Sequence, residues 1–236
     1  MPSLLRYPVN APENRRASAM KKKLTELVFI LDKSGSMAGL ERDTIGGFNA
    51  MLEKQKAVSG ECRITTVLFD NRYELLHDRI DIRAVRPISE KEYRVGGSTA
   101  LLDALGKTIH KIATAQKNTA EAFRAEKVLF VIITDGEENA SREYSAQEVK
   151  ERIQRQKNRY GWEFLFLGAN IDAVETAARF GIDPRRAADY VPDSRGTALN
   201  FCAMSETVSA FRACGAVPDA CLDAVRRDMQ KRGGRG

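Results

Sequence analysis

Little in this chain suits the common enzyme chemistries. Histidine occurs only twice in 236 residues, at His77 and His110. A Ser-His relay would need one of them beside a nucleophile, and both read better as structural or surface residues. The nucleotide-cradling loops G-x-x-x-x-G-K-[ST] and G-x-G-x-x-G are missing, as is the G-x-S-x-G nucleophile elbow. Cysteine is sparse: Cys62, Cys202, Cys214 and Cys221 form no C-x-x-C pair and have no nearby histidine. A zinc site or disulfide framework therefore lacks its spacing, and buried or incidental thiols are expected. No apolar run approaches the roughly 20 residues that span a bilayer. Pro2, Pro8, Asn10, Pro12 and Glu13 interrupt any apolar signal core, so a cytoplasmic protein is expected, with no membrane partner.

The composition, 43% hydrophobic and 30% charged, is that of a globular protein. The net charge of +6 is unevenly placed. Residues 1–23 hold six Lys and Arg against the single acid Glu13, and residues 222–236 hold five against Asp223 and Asp228. The stretch between them is slightly acidic. The expected organisation is a basic extension over 1–23, one domain over 24–213 and a basic tail over 214–236. Met20, immediately before Lys21-Lys22-Lys23, would serve as an alternative start. Basic ends mostly stay solvated, and nucleic acid is the second partner class they keep open.

Strand and helix patterns alternate along the chain, which argues a mostly parallel sheet covered on both faces. Apolar runs predict strands near Leu27–Leu31, Ile64–Phe69, Tyr73–His77, Lys127–Ile133, Trp162–Leu167 and Ala187–Val191. The turn at Asp70-Asn71 makes the second and third a hairpin, so the third is an antiparallel edge. Helices are expected over Gly39–Lys56, after Thr99, after Ser145, around Ile171–Ala178 and around Phe201–Phe211. Ser89 with Glu92, and Ser145 with Glu148, fit capping boxes. Gly46-Gly47 inside the first helix predicts a close approach by a neighbouring element. The fold class is thus α/β, Rossmann-like and doubly wound, with six strands in the order 3-2-1-4-5-6.

Polar oxygens gather where these strands end. Asp32-Lys33-Ser34-Gly35-Ser36 follows the first strand and reads D-x-S-x-S. Thr99 lies in Gly96-Gly97-Ser98-Thr99, just before a helix, and Asp135 follows the fourth strand in Thr134-Asp135-Gly136. In an open doubly wound sheet, ligands bind beyond the carboxyl ends of the strands where the order reverses. Strands one and four flank that reversal, which puts Asp32 and Asp135 about one strand spacing, roughly 5 Å, apart. Two carboxylates and three hydroxyls are what a hard divalent cation such as Mg²⁺ or Mn²⁺ takes. Asp103, one turn after Thr99, is either a brace for this loop or a solvated helix residue. Glu137, Glu138 and Asn139 either rim the site or are ordinary loop polarity. A phosphotransferase would want a second Asp where Ser34 stands, which argues against that chemistry.

Asp32, Ser34, Ser36, Thr99 and Asp135 together resemble the metal-ion-dependent adhesion site of the von Willebrand factor type A family. The likeness covers about residues 24–213 and is closest to intracellular, bacterial-type members. It implies that Ser34 and Ser36 coordinate the metal directly, and that Thr99 and the aspartates do so directly or through water. It also implies a protein partner that offers a carboxylate to the metal, and work beside an ATPase or in a multiprotein assembly. The expectation is a metal-dependent interaction module and no enzyme. The second reading is a nucleic-acid-associated protein acting through its basic ends, with the metal site structural or auxiliary.

Overall fold

The structure, a computed structural model, describes residues 24–232. The expected basic extension over 1–23 and the last four residues lie outside the described residues. In chain order the elements are β1 (Thr25–Asp32), α1 (Glu41–Lys56), β2 (Cys62–Phe69), β3 (Tyr73–Asp81), α2 (Leu101–Asn118), β4 (Lys127–Asp135), α3 (Ala146–Tyr160), β5 (Glu163–Ala169), α4 (Ala173–Arg179), β6 (Ala187–Asp189), α5 (Ser194–Cys214) and α6 (Asp223–Arg232). The six strands form one sheet in the order β3-β2-β1-β4-β5-β6. All neighbours are parallel except β2 and β3, which pair antiparallel and make β3 the edge.

Alternation along β1 explains the layers. Leu27, Phe29 and Leu31 face one apolar core with residues of α1, α5 and α6, while Val28 and Ile30 face a second with residues of α2, α3 and α4. Central strands buried on both faces read as continuous apolar runs, and β1 and β4 do. The close approach expected at Gly46-Gly47 is made by Gly47 alone: a Cβ there would overlap the Phe201 ring of α5. Ser145 and Glu148 form the expected capping box on α3, and Gly161 ends that helix in the left-handed conformation at φ 65°. At Ser89 only half of the box forms: Ser89 N (2.8 Å) and Oγ (2.6 Å) both donate to Glu92 Oε2, while Glu92 N donates to the Ser89 carbonyl (3.1 Å), around a single turn and not a helix.

Two expectations need correction. The strand after the Asp70-Asn71 turn continues past His77 to Asp81. Its far end is fixed by Arg79, which takes φ 51° and donates to Glu26 on β1. The expected tail from 214 folds in part as α6. Leu222 and Val225 are buried in the core, and Arg226 donates to the carbonyls of Arg185 (2.8 Å) and Ala187 (3.0 Å). Arg232 pairs with Asp193 at 2.5 Å and with Asp228. Much of the basic charge of this segment is therefore internal to the fold. Among the described residues no helix is long and apolar enough to cross a membrane, and all four cysteines are free thiols.

Candidate metal centre

The sheet register places the site. Leu31 pairs with Ile133, so Asp32 arrives opposite Thr134 and next to Asp135 at the carboxyl edge. Asp32 is fully enclosed. Its Oδ1 accepts from Ser34 N (2.7 Å), which folds the chain back after β1. Its Oδ2 accepts from Thr134 Oγ1 (2.7 Å) and Asp135 N (3.3 Å). The Tyr93 hydroxyl donates to the Asp32 carbonyl.

The other donors come on loops laced by backbone bonds. Lys33 N donates to Phe69 O (2.7 Å), Gly96 N to Lys33 O (2.9 Å), and Gly35 N to Gly97 O (3.0 Å). These tie the D-x-S-x-S loop to the end of β2 and to the loop before Thr99. The Lys33 ammonium is led away from the carboxylates to Glu74, at 2.7 Å. Ser34 Oγ and Ser36 Oγ stand 3.0 Å apart, the first buried and the second open to solvent. Thr99 is buried. Its N–H donates to Asn139 Oδ1 (3.0 Å), and its carbonyl accepts from Asn139 N (3.1 Å) and Ala140 N (3.2 Å). Gly136, at φ 148°, passes between them: a Cβ there would stand 3.0 Å from Ser36 Oγ and 3.6 Å from Thr99 Oγ1. A side chain at 136 would fill the space between the hydroxyls. The structure thus brings all five sequence-predicted residues to one edge.

Burial pushes both carboxyls above the ordinary aspartate range. For Asp32 the bonds from Thr134 and Ser34 oppose the rise. For Asp135 the Asn170 amide opposes it and the Asp32 charge adds to it. Neither carboxylate has an ion-pair partner within 4 Å among the described residues, so nothing here balances two enclosed anions. Burial also raises Tyr93 and Tyr190, whose phenols lie within reach of these charges.

Three residues matter that sequence reasoning missed. Thr134 and Asn170 hold the two carboxylates, and Tyr93 holds the Asp32 backbone. Asn170 gave a faint signal, since Asn is among the few residues that accept φ near its 55°. The structure also settles the residues with two readings. Asp103 is a brace: burial is outweighed by the N–H groups of Arg142 (3.0 Å), Glu143 (2.9 Å) and Tyr144 (2.9 Å), which hold its carboxyl below the usual range. Glu138 is not a rim ligand. Its oxygens accept from Leu102 N (2.8 Å), Ala140 N (3.0 Å) and Ser141 N (2.7 Å), capping α2 and shaping its own loop.

No protein-family model and no curated protein matches the chain. Solved structures do match. A von Willebrand factor type A protein from Catenulispora acidiphila aligns with TM-score 0.56 at 14% identity, over 79% of this chain and 43% of that one. A D319A mutant of the PilB minor pilin from Streptococcus sanguinis aligns with TM-score 0.59 at 10% identity, over 82% and 64%. The manganese-loaded TRAP protein of Plasmodium vivax aligns with TM-score 0.54 at 19% identity, over 75% and 72%. The chain spans less than two thirds of the first two of these proteins. At such identities the likeness is one of fold: this is the Rossmann-like sheet of von Willebrand factor type A domains.

Proposed function

We propose that the chain is a metal-dependent protein-interaction module and not an enzyme. In this reading Asp32, Ser34, Ser36, Thr99 and Asp135 form a metal-ion-dependent adhesion site that presents Mg²⁺ or Mn²⁺ to a carboxylate of a partner protein. One observation carries the reading: two serine hydroxyls 3.0 Å apart share an edge with two buried carboxylates that no Lys or Arg among the described residues neutralises. Adjacent oxygens on an octahedral Mg²⁺, each bound at about 2.1 Å, stand about 3.0 Å apart. The donor set fits that group. Among the described residues no three His, Cys, Asp or Glu side chains converge on a metal, so hydroxyls would have to complete the set. A related fold, the TRAP protein, is known loaded with manganese.

When bound, the cation would supply an electropositive coordination position for an anionic oxygen. The chain's own residues set how strongly it does so. Asp32 already accepts three protein hydrogen bonds and Asp135 accepts one, so their remaining lone pairs suit water-bridged contact. Ser34 and Ser36 contribute no charge, which leaves the cation under-neutralised towards a partner. Partner and metal would then share one coordination sphere, and each would strengthen the other by the same free energy. A complex that includes an ATPase is the kind of assembly this fits.

The test is Mn²⁺ binding followed by electron paramagnetic resonance, with a pull-down in Mg²⁺ against chelator. The parent should bind one Mn²⁺ and retain its partner only with metal. A parent that binds no more Mn²⁺ than Asp135→Ala would sink the reading.

A further inference from the structure

A second surface lies at the opposite edge of the sheet. Between the last turns of α2 and α3, above the starts of β4 and β5, is a groove of about 330 Å³. Ile109 and Trp162 form its apolar floor. Lys117, Arg124, Arg152 and Arg155 line it, and no acidic side chain does. The helix dipole accounts for a cation such as Lys117 in a last turn. It does not account for Arg152 and Arg155, which sit earlier in α3, or for Arg124, which belongs to neither helix. The guanidinium of Arg124 is fixed by Thr119 O (2.7 Å) and Lys117 O (3.3 Å), and that of Arg152 lies 5.1 Å over the Tyr144 ring. They are positioned, and among the described residues no carboxylate lines the groove to compensate them.

A further observation points to a ligand. Tyr160, in the groove lining, is 52% exposed, and Phe123, the chain neighbour of the lining residue Arg124, is 69% exposed. They are two of the three exposed large apolar side chains among the described residues. The Arg159 guanidinium lies 5.4 Å over the Tyr160 ring.

We propose that this groove binds single-stranded nucleic acid, with Lys117, Arg124, Arg152 and Arg155 on phosphates and the Tyr160 and Phe123 rings stacking bases. Cations that track a backbone beside open aromatic faces are the recurring means of holding a single strand without reading its sequence. An acidic protein segment would use the cations but give the two exposed rings no role. The groove uses residues other than those of the basic ends and lies at the sheet edge opposite the metal edge.

The experiment is fluorescence anisotropy of a labelled twelve-residue oligothymidylate with the full chain, at several salt concentrations. The comparison variants are Arg124→Ala/Arg155→Ala and Tyr160→Ala, each first shown to melt like the parent. All retain the basic ends, so any difference reports the groove. The double variant should bind about tenfold or more weakly. Its salt slope should be shallower by about 1.4, since each phosphate no longer neutralised removes about 0.7. Tyr160→Ala should weaken binding several-fold, and chelator should change nothing. Absence of binding by the parent, or equal binding by all three proteins, overturns the proposal. So does groove-dependent binding of polyglutamate when the oligonucleotide shows none, which would make an acidic segment the occupant.

Discussion

The two ends of β1 each bury a carboxylate, and the protein treats them differently. At the amino end Glu26 is fully enclosed and meets Arg79 from β3 at 2.9 Å. At the carboxyl end Asp32 is just as enclosed and receives three neutral hydrogen-bond donors but no cation. Both carboxyls are raised by burial, so both are costly as anions. The fold supplies a counter-ion at one end by forcing Arg79 into a left-handed conformation on an edge strand. At the other end it supplies a second anion, Asp135, and leading Lys33 away to Glu74 keeps the site uncompensated. One end is closed by the chain itself. The other, on the proposed reading, is completed by a cation.

The sharpest way to break that contrast is Asp32→Ala. If the carboxyl edge exists to take a cation, this change should abolish Mn²⁺ binding, with affinity down at least a hundredfold. Folding should suffer little, because the lost acceptor for Ser34 N and Thr134 Oγ1 is offset by removing a buried anion. Mn²⁺ titration followed by a thermal melt separates the two effects. Retained metal binding would mean that the cation, if any, sits elsewhere. The groove variant Arg124→Ala/Arg155→Ala should leave metal binding untouched. The nine residues of β4 separate the two edges by about 30 Å, and sites so distant act additively.

Arg79→Ala attacks the other end. It leaves Glu26 buried without a partner, and breaking a buried pair in this way costs about 3–5 kcal/mol. The melting temperature should fall by roughly 10 °C or more. A drop as small as that of a surface substitution would mean water reaches Glu26, and the two ends of β1 would then be alike. The pair is already imperfect, since Glu26 Oε1 and Arg79 Nη2 are both closed off without partners among the described residues.

How much of this is legible in the sequence follows from where the information sits. The strands, their alternation with helices and the antiparallel edge come from local patterns, namely apolar runs and a hairpin turn at Asp70-Asn71, while the strand order and the adjacency of Asp32 and Asp135 come from the doubly wound arrangement that such alternation adopts. Pairings between remote residues leave no such trace. Nothing local to Arg79 announces Glu26, and the extension of β3 to Asp81 rests on its pairing with Arg63 and Ile64 of β2. Helix α6 is hidden because Asp223–Arg232 reads as charge. Its buried residues are Val225 and Asp228, and its anchors Asp193 and the 185–187 carbonyls lie far back in the chain. The basic groove escapes for the same reason, its cations being contributed by three separate segments. Asn139 and Glu138 do lie in a loop, but their role as acceptors for the N–H groups of Thr99 and Leu102 is hidden, because such bonds leave no periodic pattern.

The smallest expected effect is in pH, and it sharpens the comparison most directly. The Glu26 carboxyl is raised above its ordinary 4.5 by burial, while Arg79 and Arg63 pull it back and Asp78 adds to the rise. A carboxyl raised in the folded state binds its proton more tightly folded than unfolded. Its contribution to stability is therefore present below the unfolded value and lost as pH climbs through the folded one. Glu26→Gln cannot titrate, so it should match the parent at about pH 4 and melt slightly higher at pH 7, by a few degrees at most. Adding Arg79→Ala to the parent should move the loss to higher pH, because the strongest opposing charge is gone. The measurement is the melting temperature of the three proteins from pH 4 to 8 in chelator, where the carboxyl edge is the same in all three and the differences between them report Glu26. If Glu26→Gln melts below the parent at neutral pH and equals it in acid, the ion pair is a net stabiliser. Glu26 would then be a satisfied anion, and the uncompensated carboxylates at Asp32 and Asp135 would stand even further apart from it.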